Sequence, residues 1–362
     1  MDQVVGSCRQ ISLTDKILLP YTEAVLLEAL RLSSIVPLGL PHRMNEDTIF
    51  RGYFLHKNAT VISNLWAIHH DPKIWGEDVN EYRPERFLSE DKTRVVRHDS
   101  LMPFSADRRQ CIGKGLARYT MFLFLANILL KFNIEKEPGC PVMKIEAPIG
   151  LLAESRPFNF VLNLRNSKNL VNKKESTLSI QYGCPLRFKI SEGAVLPPKL
   201  NWKRFNPVLY VFGGGNGIIN AQGHVWETQR NFTLRKLRDV GVFKSSIEEF
   251  LQEEASSLIK YFELRAGETI PGTKLFNGPV YNALWKIISG ESIDWTSPIK
   301  PEILKRAENL TESMNQTVLS GLFFAPFLRH IAPGFFGWTS WVNSVKNFFA
   351  VTDQAIEAHS ET

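Results

Sequence analysis

Apolar residues recur at helical spacing in residues 21–32, "YTEAVLLEALRL", where Ala24, Leu27 and Leu30 share one face, Pro20 precedes them and "VPLGLP" follows. The pattern predicts a helix and then an extended segment. Residues 48–68, "TIFRGYFLHKNATVISNLWAI", alternate apolar and polar positions around a turn-like "HKNA", which predicts a small hairpin running into a helix. Residues 113–132, "GKGLARYTMFLFLANILLKF", carry the strongest apolar helical pattern of the chain. After about residue 165 the texture changes. Asn, Lys and Ser are frequent, a Pro-Pro pair occurs and no period is sustained, so 166–205 reads as an irregular junction. Helical patterning returns in "HVWETQRNFTLRKLRDVG", with Gly241 as its stop, and in "SSIEEFLQEEASSLIKYFELRAG", where a serine cap precedes glutamates. The expectation is a mainly α chain with a small β-sheet, in three parts: 1–165, 166–205 and 206–362.

Composition narrows the classes. The 362 residues are 44% hydrophobic and 22% charged, the balance of a folded protein, and suffice for two or three domains. A net charge of +6 with scattered basic residues gives no footprint for nucleic acid, while an acidic redox partner or an anionic membrane surface suits it. Nothing reaches an uninterrupted run of about twenty apolar residues, and the polar start "MDQVVGSCRQ" reads as neither signal peptide nor span. The nearest candidate is "VLSGLFFAPFLRHIAPGFFGW", aromatic but broken by prolines, Arg329 and His330. Its pattern suits a membrane interface and a buried helix pair equally.

The four cysteines, Cys8, Cys111, Cys140 and Cys184, form no C-x-x-C pair, which argues against zinc ribbons and common iron-sulfur patterns and suits a reducing compartment. A lone cysteine is most often a small buried hydrophobe. Cys111 differs in its setting: it stands in a polar turn at the entrance of the apolar helix, with Arg109 two residues before it and Gly113 two after. There a thiolate is favoured by the helix dipole and unpaired N–H groups, a glycine lets a flat cofactor approach, and an arginine pairs with a carboxylate.

"FSADRRQCIG", residues 104–113, resembles the haem-binding signature of cytochromes P450, with Phe104, Arg109, Cys111 and Gly113 at the family's offsets and Asp107 where glycine is more common. Upstream, "EALR" with Glu28 and Arg31, and "PERF" with Arg86, are similar to that family's buried Glu-Arg-Arg cluster. His42, in "PHR", falls where animal microsomal members place a propionate-binding residue. Trp226 and Arg230 resemble the family's W-x-x-x-R pair, on one helix face at i, i+4. "GPVYNALWKIISGE" and "APFLRHIAPGFFGW" also look like its N-terminal portion. In the family that portion precedes the cysteine signature. Here it follows, so the order reads as the end of one such protein joined to the beginning of another, with a circular permutant as the less economical account. An "AG-x-x-T" central-helix motif is not found in the chain: "RAGETIP" comes near, but its spacing differs and Pro271 ends any helix there.

The resemblance implies an incomplete cytochrome P450 fold with permuted segments, binding haem b (iron protoporphyrin IX). Cys111 would be the axial ligand of its iron. Arg109, His42, Trp226 and Arg230 would hold propionates, and Glu28, Arg31 and Arg86 would be structural. It implies a monooxygenase that inserts one oxygen atom from O2 into a small lipophilic substrate, with NADPH-cytochrome P450 reductase and cytochrome b5 as electron donors, on the cytosolic face of the endoplasmic reticulum membrane. With no central oxygen-activating helix recognised, no catalytic residue is assigned and weak or absent turnover is expected. Two alternatives stay open: a haem-binding protein without catalysis, and a helical relic without haem.

Overall fold

The computed structural model describes residues 1–6, 9–139, 152–153, 155–165, 202–203, 210–211, 216–242, 246–319, 321–322 and 325–360. Apart from residues 202–203, the expected junction 166–205 lies outside them, as do Cys8, Cys140 and Cys184.

After a one-turn helix α1 (Asp2–Val5), helix α2 (Pro20–Ser33) starts with Pro20 at a position where its missing N–H costs nothing. Its apolar face and, unusually, Glu28 and Arg31 are buried. The chain then enters β1 (His42–Met44), the hairpin of β2 (Thr48–Phe50) and β3 (Tyr53–Leu55), and β4 (Thr60–Val61). The hairpin forms as expected, but its turn is Arg51-Gly52, where both residues take positive φ (49° and 84°), the geometry that matches strand twist. "HKNA" instead links β3 to β4, which pairs with β1 in register His42 to Val61. Helix α3 (Leu65–His69) is short and capped by the Asn64 side chain, which accepts the Ala67 N–H. Helix α4 (Pro72–Trp75) is a single turn. The predicted apolar helix is α5 (Lys114–Lys131), with Gly113 at its N-cap.

Strands β5 (Phe132–Lys136) and β6 (Asn159–Leu164) pair antiparallel, followed by β7 (Trp202–Lys203). Helices α6 (Gly223–Asp239) and α7 (Ser246–Glu263) follow. Then come β8 (Thr269–Pro271), α8 (Asn277–Ser289), α9 (Glu302–Leu319), α10 (Leu328–Ile331) and α11 (Trp338–Ser360). The segment around "RAGETIP" is turn and strand, as Pro271 requires. Residues 325–338 are not a buried helix pair: Pro326 and Pro333 confine helix to one turn, and Phe327, Ile331 and Phe335 are exposed.

The chain's two ends share strands and core. β7 extends the β4-β1 sheet, and β8 adds to β5-β6. Phe124, Ile128, Phe132 and Leu162 pack with Ala255, Leu258, Phe262 and Ile270 of the later part. Leu116, Phe122 and Leu123 pack with Ile247, Leu251 and Ile287. Asn127, buried on α5, accepts the Ile11 N–H (2.9 Å) and donates to the Ile11 and Leu123 carbonyls, which fixes the N-terminal segment to the same helix.

The firmest polar joint lies under α2. Arg31 donates from Nε and Nη2 to the two oxygens of Glu28, each at 2.8 Å. Arg86 Nε (3.0 Å) and the Arg83 amide (3.0 Å) complete the shell of Glu28. Arg31 also reaches the carbonyls of His69 (2.7 Å) and Val79 (2.9 Å), and Arg86 reaches that of Trp75 (2.8 Å). Glu28 and Arg31 have no exposed surface. Removing one partner of a buried ion pair strands the other charge. Glu28→Gln should therefore lower unfolding free energy by about 3–5 kcal/mol, read by urea denaturation. A loss below about 1 kcal/mol would show that the cluster is dispensable.

Candidate functional site

The loop before α5 is tightly wound. Ser105 and Asp107 both take positive φ (61° and 60°), and residues Asp107–Arg109 form one 3-10 turn. The left-handed geometry at 107 is where glycine sits without steric cost, so the usual glycine of the signature has a local reason and Asp107 is a strained substitute. The Cys111 N–H bonds to the Phe104 carbonyl (3.0 Å), closing the loop on itself, and Cys111 is a free, exposed thiol. Gly113 has an ordinary φ. A Cβ added there would lie 3.8 Å from the Cys111 sulfur, so the glycine keeps space beside the sulfur rather than relieving the backbone.

Helix α6 docks against this loop from a point more than a hundred residues away. Arg109 donates to the carbonyls of Ala221 (2.9 Å) and Ile218 (3.4 Å), just ahead of α6. Its guanidinium lies 4.0 Å from the Trp226 ring centroid, and that of Arg230 lies 5.5 Å from it. Both distances are within cation–π range. Arg230 Nη2 donates to the Gln110 carbonyl (3.1 Å), and Arg108 pairs with Glu227 (3.0 Å). Burial pulls the Arg230 guanidinium below its ordinary pKa, while the neighbouring Cys111 sulfur acts in the opposite direction. Both arginines thus donate to main-chain carbonyls. Among the described residues, the buried Trp226 Nε1 has no hydrogen-bond partner.

The structure thus brings Phe104, Arg109, Cys111, Gly113, Trp226 and Arg230 into one region. His42 is buried on β1, and none of the cluster contacts given above involves it. Glu28, Arg31 and Arg86 form their own joint. Sequence reasoning passed over Gln110, whose carbonyl receives Arg230, and His69, which is fully buried beside Arg31. One histidine within "AIHHDP" carries no pattern that marks it. Among the described residues, no group of three or more His, Cys, Asp or Glu could hold a metal ion, and no helix is long and apolar enough to cross a membrane.

Burial depresses both neighbouring imidazoles from an ordinary 6.5, His69 to about 3 and His70 to about 4. For His69, Nε2 accepts the Met102 amide (3.0 Å) and Nδ1 lies 2.9 Å from Ser34 Oγ. His70 Nδ1 donates to the Trp66 carbonyl (2.9 Å), with the two rings stacked.

Comparison with known proteins places the chain. The family model "Cytochrome P450" matches residues 1–162 and 203–362, and the chain belongs to the cytochrome P450 family. It is 36% identical to rat cytochrome P450 2U1 over 165 residues, 46% of this chain and 31% of that protein. It is 40% identical to human cytochrome P450 1A2 over 144 residues, 39% of this chain and 28% of that protein. The match to rat cytochrome P450 2B2 is 43% over 134 residues, 37% of this chain and 27% of that protein. The aligned part of the chain thus spans less than a third of the length of these relatives. Proteins of this family bind haem, iron protoporphyrin IX.

Two outcomes follow for stability. Asp107→Gly should be neutral or stabilising and Asp107→Val should cost about 1–2 kcal/mol in urea denaturation, because only the first removes left-handed strain; equal effects would contradict the loop geometry. The two imidazoles bind protons more readily unfolded than folded, so their contribution is complete above pH 6.5 and is lost as pH falls toward 3–4. Glu254, raised by burial, offsets part of this. The urea midpoint should fall between pH 7 and pH 5, and fall less in a His69→Gln, His70→Gln variant. A midpoint indifferent to pH would refute their neutral burial.

Proposed function

We propose that this chain holds haem b with the Cys111 sulfur as the iron's axial ligand, and that the site inserts one oxygen atom from O2 into a small lipophilic molecule. The observation that carries this reading is the buried Nε1–H of Trp226, without a partner among the described residues and flanked by the guanidiniums of Arg109 and Arg230 beside the Cys111 loop. A buried N–H without an acceptor costs about 1–3 kcal/mol, and two cations alongside it favour an anionic acceptor. A haem propionate has that chemistry. The space that Gly113 leaves beside the sulfur suits the approach of a flat ring.

A haem with a thiolate ligand supplies the activation of dioxygen. The chain's own residues have simpler tasks. Cys111 presents its sulfur from a loop closed by the Phe104 carbonyl. Arg109, Trp226 and Arg230 neutralise and orient propionates, and His42 adds a further donor from β1. Glu28, Arg31 and Arg86 hold the frame without touching the cofactor. In this reading the electron donors are NADPH-cytochrome P450 reductase and cytochrome b5, on the cytosolic face of the endoplasmic reticulum.

Haem titration of the purified chain tests the reading. Trp226→Phe and Arg230→Ala should each weaken haem binding roughly tenfold or more, the worth of a hydrogen bond to a charged group. Affinities unchanged in both would remove the propionate assignment. With reductase, NADPH and a lipophilic probe, turnover should be weak, and what product forms should carry one atom of labelled O2. Haem binding without such product would favour the non-catalytic alternative.

A further inference from the structure

The His69 side chain has a determined hydrogen-bond direction. Ser34 Oγ lies 2.9 Å from the Arg31 carbonyl, which can only accept, so the single hydroxyl proton points there. Ser34 must then accept from His69, which places the ring proton on Nδ1 (2.9 Å). Nε2 is left bare, and the Met102 amide donates to it at 3.0 Å. The imidazole is therefore neutral, in one tautomer, with both nitrogens used and no exposed surface. Its backbone is held as well, since Arg31 donates to the His69 carbonyl at 2.7 Å.

Those contacts join two parts of the molecule. On one side stands the Glu28–Arg31–Arg86 joint. On the other, Met102 is followed by Pro103, whose ring restricts the backbone, and then by Phe104, whose carbonyl receives the Cys111 amide at 3.0 Å. From these contacts we infer that His69 is a positioning residue for the Cys111 loop: its ring ties the Met102 amide to the buried Glu28–Arg31 joint and thereby fixes where the chain enters the turn that presents the sulfur. The loop needs such an anchor. It contains two non-glycine residues at positive φ, Ser105 and Asp107, and a segment under local strain keeps one conformation only when its ends are held. His70, its neighbour, is spent on the Trp66 carbonyl and ring. His69 alone of the two reaches the loop through the contacts described.

Only the identity of the ligand served by this loop rests on the haem reading. The anchoring itself is measurable on the chain without cofactor. Amide hydrogen exchange, resolved by peptide, compares residues 101–113 with α2 in the unaltered chain, in His69→Leu and in His69→Gln. His69→Leu removes the acceptor for the Met102 amide, and exchange in 101–113 should rise roughly tenfold or more while α2 stays protected. His69→Gln returns an acceptor oxygen and should restore most of the protection. Unchanged exchange in 101–113 overturns the inference, and so does an equal rise in α2 and the loop in both variants, which would make His69 a packing residue. Should His69→Leu not fold, His69→Phe carries the test: it keeps a ring of similar shape but removes the acceptor of the Met102 amide, so loop exchange should rise, and an unaffected loop overturns the inference. With haem added, the share of the reduced carbon-monoxide complex showing thiolate ligation should fall in His69→Leu and recover in His69→Gln. Loss of haem binding in the unaltered chain would remove that last readout and the haem reading, but leave the exchange result standing.

Discussion

Glu28 is a carboxylate without exposed surface that receives two hydrogen bonds from Arg31, one from Arg86 and one from the backbone of Arg83. Buried charge is tolerated only where partners surround it, so this joint admits one relative placement of α2 and residues 83–86. Arg31 extends the constraint to the carbonyls of His69 and Val79. The remaining construction of the site rests on that frame, because the Cys111 loop is strained, short of regular structure and polar. It holds its shape through its entry at Met102, the Cys111–Phe104 hydrogen bond and the contacts of Arg109 and Gln110 with the part that carries α6.

The second constraint is the apolar helix α5. Gly113 begins it beside the sulfur, and its far end feeds β5. Along the way it packs against α7 and carries Asn127, which binds the N-terminal segment. Strand β8 joins β5-β6 on the same side, so the part that contains Trp226 is fixed to the part that contains Cys111 by sheet pairing and core packing. The Arg109–Trp226–Arg230 stack then needs no long reach: its members are set on elements already docked to one another.

Much of this was legible in the sequence, for physical reasons that differ by element. Trp226 and Arg230 share a face because i, i+4 spacing on a helix leaves no other choice. Glu28 and Arg31 could be read as neighbours in the same way, and Cys111 at a helix entrance followed from the apolar pattern after Gly113. The hairpin turn was misplaced because three-residue strands are too short for alternation to fix register, and the positive φ of Arg51 has no signature of its own. The strand pairings of β7 and β8 are long-range and invisible to local pattern. His69 shows the limit most clearly. Its ring acts through a serine hydroxyl and a distant amide, and neither partner is marked by composition or spacing. Residues 325–338 were ambiguous because an aromatic run broken by prolines suits a membrane interface as well as a buried helix pair.

The central claim is that Cys111, placed by this frame, ligates haem iron. The reduced carbon-monoxide difference spectrum of the haem-loaded chain, recorded beside Cys111→Ala, tests it most directly. The account predicts a strongly red-shifted Soret band, the mark of thiolate ligation, that disappears in the substituted chain. A spectrum without that band, or one that Cys111→Ala leaves unchanged, would contradict it.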